Sequence, residues 1–160
     1  MQGLPTRRGE AMTTAFILNG PNLNLLGGRE PEIYGTATLD EIRQASTSRG
    51  NENGLKVDFR QSNHEGELID WVQEAREKAA GIIINPGAYT HTSIALHDAL
   101  KSLEQPKIEL HLSNIHAREE FRRHSYLSPA VSAVICGLGA VGYIVALDAL
   151  KRLIDNSPLP

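Results

Sequence analysis

The sequence predicts an α/β fold in three layers, a five-stranded parallel sheet with helices on both faces, and three observations carry that expectation. Five short apolar runs, AFILN, LKVDFRQ, GIIIN, KIELHLS and AVICG, have the length and composition of strands. Segments of helical period stand between them, and strand-helix-strand alternation yields a parallel sheet because right-handed crossovers lay the helices on its faces. The 160 residues, 41% hydrophobic and 22% charged, suit one core.

Taken in order, residues 1–14 (MQGLPTRRGEAMTT) have little apolar content and no periodicity, so a disordered leader is expected, then one domain over 15–155 and a short tail over 156–160. No apolar segment follows Arg7-Arg8 as an export signal requires, and no run nears the ~20 residues of a membrane span, so a cytoplasmic protein is expected. After AFILN comes NGPNLNLLGGREPEIYG, where Gly20, Gly27, Gly28, Gly35, Pro21 and Pro31 exclude regular structure over far more than the ~2–6 residues usual between strand and helix. A mobile lid carrying Arg29 and Tyr34 is expected there.

Thr38-x-x-Glu41 is a capping box that starts a helix, though the polar, Gly/Asn-rich stretch from Ser46 to Gly54 makes this the weakest element. Leu68, Val72, Ala75 and Ala79 form one apolar stripe ended by Gly81. Further helices are expected over Ile94 to Leu103 and Val141 to Ile154. The lone Cys136 ends an apolar run, has no disulfide partner, and reads as a buried thiol in a reducing compartment. Five such units fit a flavodoxin-like order, in which ligands bind outside the carboxyl ends of the strands. A net charge of −3 gives no basic excess for nucleic acid, so the partner is expected to be small.

The segments that follow the strands hold the chemically useful residues. Tyr34 stands near Arg29, and a guanidinium favours a phenolate. Ionising a phenol at neutrality takes ~4 kcal/mol of such stabilisation, so one arginine would need help, and anchoring the loop is the plainer role. NPGAYTHTS places Asn85, His91, Thr92 and Ser93 before a helix, where free N–H groups favour an anion; capping by Thr92 or Ser93 explains the hydroxyls but not Asn85 or His91. HLSNIHAREEFRRHS supplies His111 at a strand end, either a proton-transfer group or a satisfied core histidine. It also supplies Arg118 and Arg122, one helical turn apart, which fix a carboxylate or pair with Glu119. His97 and Asp98 read as solvated. The run Gly137-Leu-Gly139-Ala-Val-Gly142 matches a dinucleotide fingerprint, but it falls in the last unit with no second strand or ribose-binding acid after it, and close helix-strand packing explains it. No HExxH or Cys/His cluster points to a metal.

Together, NGPNLNLLGGREPEIYG, NPGAYTHTSIALHDAL and HLSNIHAREEFRRHSYLSPA resemble the motif blocks of the type II 3-dehydroquinate dehydratases, over about Phe16 to Leu150. The resemblance implies a flavodoxin-like fold, a homododecamer built as a tetramer of trimers, no cofactor and no metal. It implies trans-dehydration of 3-dehydroquinate to 3-dehydroshikimate through an enolate, in the shikimate pathway or in quinate breakdown. By motif, Tyr34 is the implied base that takes the C2 proton, Arg29 holds it as phenolate, Asn22 positions the water on the enolate oxygen, and His111 protonates the departing C1 hydroxyl. Asn85, His91, the Leu112-Ser113 backbone and Arg122 are the implied substrate contacts, with Asp98 reaching across the trimer interface. Gly28 and His97 depart from residues frequent in the family, at positions without a chemical role. A non-catalytic or flavin-binding flavodoxin-like module and a dinucleotide-dependent oxidoreductase are the rival readings, and neither uses Arg29, Tyr34 and His111 together.

Overall fold

The computed structural model describes residues 12–158. Its sheet has five parallel strands, β1 (Thr13–Asn19), β2 (Leu55–Gln61), β3 (Gly81–Asn85), β4 (Lys107–His111) and β5 (Ala133–Cys136), in the order β2-β1-β3-β4-β5. This is the flavodoxin-like order, and the direction of winding reverses between β1 and β3. Five helices accompany the sheet: the single turn α1 (Pro31–Tyr34), then α2 (Leu39–Glu52), α3 (Glu65–Lys78), α4 (Ile94–Lys101) and α5 (Val141–Asp155).

Alternation along the strands makes two cores. On one face Ala15, Ile17, Ile83, Ile108 and Leu110 pack with Ile42 of α2 and with Tyr143, Ala146, Leu147 and Leu150 of α5. On the other, Phe16, Leu18, Ile82 and Ile84 pack with Leu68, Val72 and Ala75 of α3 and with Leu96, Ala99 and Leu100 of α4. The three layers expected from the sequence are therefore present.

Several details differ from the expectation. β1 begins at Thr13, so Thr13 and Thr14 leave the expected leader and pair with Leu55 and Lys56; strand pairing uses backbone groups, and β-branched threonine suits it without being apolar. Residues 1–11 of that leader, and residues 159–160 of the tail, lie outside the described residues. The weakest helix, α2, runs unbroken to Glu52. Its capping box forms as read, and tertiary contacts carry its polar half: Gly50 sits where a Cβ would meet Val57 Cγ2 at 2.4 Å, and Arg49 makes two 2.8 Å bonds to Asp148 of α5.

Gly81 is the first residue of β3, as the run GIIIN predicts, and does not itself cap α3, which ends at Lys78. A Cβ there would meet Leu150 Cδ1 at 2.7 Å, so close packing under α5 selects glycine, while Gln105 Nε2 donates to the last carbonyls of α3. α4 stops at Lys101, and the buried Lys107 reaches back to the Leu103 carbonyl at 2.5 Å. Cys136 is half-buried because β5 is an edge strand. The glycine of the fingerprint-like run that packs closely is Gly142, whose Cβ would lie 2.9 Å from Leu110 Cδ1.

Candidate active site

The cleft forms where β1, β3 and β4 end. Asn19 and Asn85 are register partners at the ends of β1 and β3, and the Gly20 N–H donates to the Asn85 carbonyl at 2.8 Å. That approach requires glycine, since a Cβ on Gly20 would lie 2.5 Å from the Pro86 carbonyl oxygen. Around this point lies a cleft of about 190 Å³ lined by Asn22, Arg29, Tyr34, Asn85, His91, His111, Leu112, Ser113, Arg118 and Arg122, among others. Drug-sized ligands usually occupy ~300–1,000 Å³, so this space suits one small ring.

Tyr34 reaches the cleft because the segment expected to be irregular contains ordered turns. Pro31 occupies the first turn of α1, where its missing N–H costs nothing, and Gly35 (φ 80°) ends the turn directly after the tyrosine. Arg118 Nη1 donates to the Tyr34 hydroxyl at 2.9 Å, and the Arg118 and Arg29 guanidinium carbons stand 5.3 and 5.4 Å from the ring centroid. Two positive groups therefore attend one phenol. Arg29 also pairs loosely with Glu30 at 3.6 Å.

His111 is the opposite pole. Residues 109 and 111 share a strand face, so their side chains lie together: His111 Nε2 is 2.8 Å from Glu109 Oε1. Glu109 is fully buried beneath donors, accepting from Ser125 Oγ at 2.8 Å, from Ser128 Oγ at 2.7 Å and from Thr90 Oγ1 in a short bond. Burial alone would raise its pKa, but the bond and charge of His111 with the Thr90 and Ser128 hydroxyls outweigh it and hold the carboxyl at about 2. An ionised carboxylate only accepts, so Nε2 of His111 carries a proton and Nδ1 is the ring nitrogen left for the cleft.

Two further groups are fixed by the same reasoning. The buried Tyr143 hydroxyl donates to Asn19 Oδ1 at 2.6 Å, so Asn85 Nδ2, 3.0 Å away, must donate to Tyr143; Asn85 Oδ1 accepts from the Gly87 N–H. That sets the amide's orientation and leaves one N–H of Asn85 for a ligand. His91 Nδ1 lies 2.7 Å from the His124 carbonyl, which only accepts, so Nδ1 holds the proton. Burial is the main force holding His91 below the usual histidine range, aided by the positive charge of His111 and Arg122 and opposed by that bond. Neutral His91 thus offers Nε2 as an acceptor, with its ring stacked 6.5 Å from that of His111.

Of the residues expected from sequence, Asn22, Arg29, Tyr34, Asn85, His91, His111, Leu112, Ser113 and Arg122 line the cleft. Asp98 does not. It is exposed in a groove between α3 and α4 with Gln73, Arg76 and Ser102. Arg118 and Arg122 do not share a helix, since they stand in and beside separate 3-10 turns, and only Arg122 makes the close bond to Glu119 (2.8 Å). His97 is half-buried, its Nδ1 2.5 Å from the Tyr126 carbonyl, and so is not simply solvated.

Comparison with known proteins finds one family. The family model described as Dehydroquinase class II matches residues 13–151. The chain is 61% identical over 145 residues to the 3-dehydroquinate dehydratase of Rhizobium meliloti, covering 91% of this chain and 98% of that one. It is 60% identical over 140 residues to that of Rhizobium johnstonii, covering 88% and 97%. Among solved structures it is similar to the type II dehydroquinase of Propionibacterium acnes, with a TM-score of 0.85 and 46% identity over 88% of this chain and 97% of that one.

Proposed function

Because the chain belongs to the class II dehydroquinase family, a hydro-lyase family of the shikimate pathway, it dehydrates 3-dehydroquinate to 3-dehydroshikimate, and we propose that Tyr34 and His111 divide the two proton transfers of that reaction. The observation that carries this assignment is the pairing of a phenol attended by two arginines with a glutamate-backed histidine in one small cleft.

The Tyr34 phenolate, its charge balanced by Arg118 and Arg29, takes the proton at C2, which the neighbouring ketone acidifies. Asn22 orients the water that hydrogen-bonds the resulting enolate oxygen. As the enolate collapses and the C1–O bond breaks, His111 gives a proton from Nδ1 and the hydroxyl leaves as water. Return of the Tyr34 proton to solvent and of a proton to His111 resets the pair. Asn85 and the backbone of Leu112 and Ser113 hold the carboxylate, while Arg122 and the Nε2 acceptor of His91 hold the ring hydroxyls. Closure of the segment carrying Arg29 keeps bulk solvent out of the cleft and leaves the one water that Asn22 orients.

Asp98 is the substrate contact that this chain does not bring to its own cleft, and we propose that a second copy supplies it within a trimer, four of which form a dodecamer. Coexpression of Tyr34→Phe and Asp98→Ala chains tests this. In mixed assemblies roughly a quarter of sites draw an intact Tyr34 and an intact Asp98 from different copies, and activity should exceed the mean of the two single variants accordingly. Activity equal to that mean would overturn the shared site.

None of the described helices is long and apolar enough to cross a membrane, and a cytoplasmic location is proposed. The reaction is tested by ultraviolet absorbance on adding purified protein to 3-dehydroquinate, since the product is a conjugated enone-carboxylate. Absorbance should rise in proportion to enzyme, without added cofactor and undiminished by chelator. A flat trace from folded protein would refute the activity, and sensitivity to chelator would refute the metal-free mechanism.

A further inference from the structure

The Gly137-Leu138-Gly139 turn, which resembles a dinucleotide fingerprint in sequence, lies against the end of β4; it lines no part of the cleft that holds His111, but a neighbouring pocket that shares Tyr34, Leu112, Ser113 and Arg118 with it. The Gly137 N–H donates to the His111 carbonyl at 3.3 Å, and the Gly139 N–H donates to the Leu112 carbonyl at 2.9 Å. Successive residues of a regular strand point their carbonyls to opposite sides, so two consecutive carbonyls held on one side mark a bend in the backbone. A trans peptide sets its C=O and the next N–H in opposite directions, and no peptide bond among the described residues is cis. With both carbonyls tied to the turn, the N–H groups of Leu112 and Ser113 face away from it, toward the cleft these two residues line.

Neither N–H has an acceptor among the described residues. Leu112 is buried, where an unpartnered N–H is rare and marks a place for a ligand acceptor. We infer that the Gly137–Gly139 turn is the device that aims two backbone N–H groups at the substrate carboxylate, and that Gly139 is a positioning residue for substrate binding. The inference rests on the proposal that the Leu112-Ser113 backbone takes the carboxylate. It also accounts for the glycines: Gly137 has φ 90° and Gly139 φ 62°, and a side chain at Gly139 would meet nothing within 4 Å. Substitution at Gly139 therefore acts through the backbone and not through a clash.

Asparagine tolerates the left-handed region and valine does not, so Gly139→Asn should behave like wild type while Gly139→Val tilts the turn. The carboxylate keeps its charge from ground state to transition state, so its loss weakens both equally. Gly139→Val should raise KM for 3-dehydroquinate on the order of tenfold, with kcat within about twofold of wild type. For the methyl ester of the substrate, which lacks the carboxylate charge, KM should be the same in Gly139→Val and wild type. If the valine chain does not fold, Gly139→Ala carries the same comparison. An equal rise in KM for acid and ester, or a fall in kcat at unchanged KM, would overturn the inference and leave the turn a structural element. Unchanged KM in the folded variant would also overturn it while leaving the dehydratase intact, whereas a wild-type chain that fails to turn over 3-dehydroquinate would refute the functional reading itself.

Discussion

Tyr34→Phe should lower kcat about a thousandfold or more while leaving substrate affinity within a few-fold of wild type. The substitution keeps the ring, and with it the positions that Arg29 and Arg118 take over its face; only the oxygen that accepts from Arg118 is lost. Arg118 retains Ser113 Oγ at 3.4 Å as a neighbour, so the stability cost should be about 1 kcal/mol, the usual worth of one partly buried hydrogen bond. Absorbance assays give kcat, and calorimetric titration of the inactive variant with 3-dehydroquinate gives the affinity. A variant that keeps a tenth of wild-type kcat would remove Tyr34 from the role of base.

The help that Tyr34 needs beyond Arg29 was not legible in the sequence. Arg118 stands 84 residues from Tyr34 along the chain, and its local spacing to Glu119 and Arg122 suggested a helical face or exposed pairing. The segment instead folds into separate 3-10 turns, Ile115–Ala117 and Glu120–Arg122, which direct Arg118 back across the cleft. Only the tertiary fold brings it to the phenol. Glu109 is a different case, because a signal was present. An acidic residue in the middle of KIELHLS, two positions before His111, shares a strand face with it, and a charge inside a sheet covered on both faces must have partners. Reading the run only as a strand missed the glutamate that fixes its histidine.

The fold itself was readable because periodicity, caps and chain length agreed. The sequence reading was weakest where tertiary contacts decide. Gly50 is chosen by its contact with Val57 and Gly81 by its contact with Leu150, and neither contact is local. The site's shape also follows from parity along the strands. Asn19 and Asn85 turn toward Tyr143 on the α5 face, whereas Glu109 and His111 turn toward Thr90, Ser125 and Ser128 on the α4 face. The cleft at the β1/β3 reversal collects groups from both sides of the sheet. A set of loops on one face would not give a base and an acid on opposed walls.

Glu109→Gln should affect stability and catalysis together, through one carboxylate. Ser125, Thr90 and His111 all donate to Oε1 and Ser128 donates to Oε2, so an amide must set its NH2 against at least one donor. The folded protein holds this carboxyl at about 2 against its ordinary value of 4.5, so its ionised form contributes stability above about pH 4.5. That contribution is lost as pH falls through the folded value. At 1.36 kcal/mol per unit it amounts to about 3 kcal/mol. Glu74 is also depressed to about 2 and titrates in the same window, which makes the difference between wild type and variant the informative quantity. Denaturant unfolding should show Glu109→Gln less stable at pH 7, with the gap closing as pH falls from about 4.5 toward 2. kcat should fall about a hundredfold, since His111 loses the partner that fixes its ring and its protonated nitrogen. Adding His111→Ala to Glu109→Gln should then cost much less than His111→Ala alone costs in wild type, because the two residues act as one unit. A constant stability gap across that pH range would show that the carboxylate is not ionised in the fold, and additive losses of kcat would show that Glu109 does not act through His111.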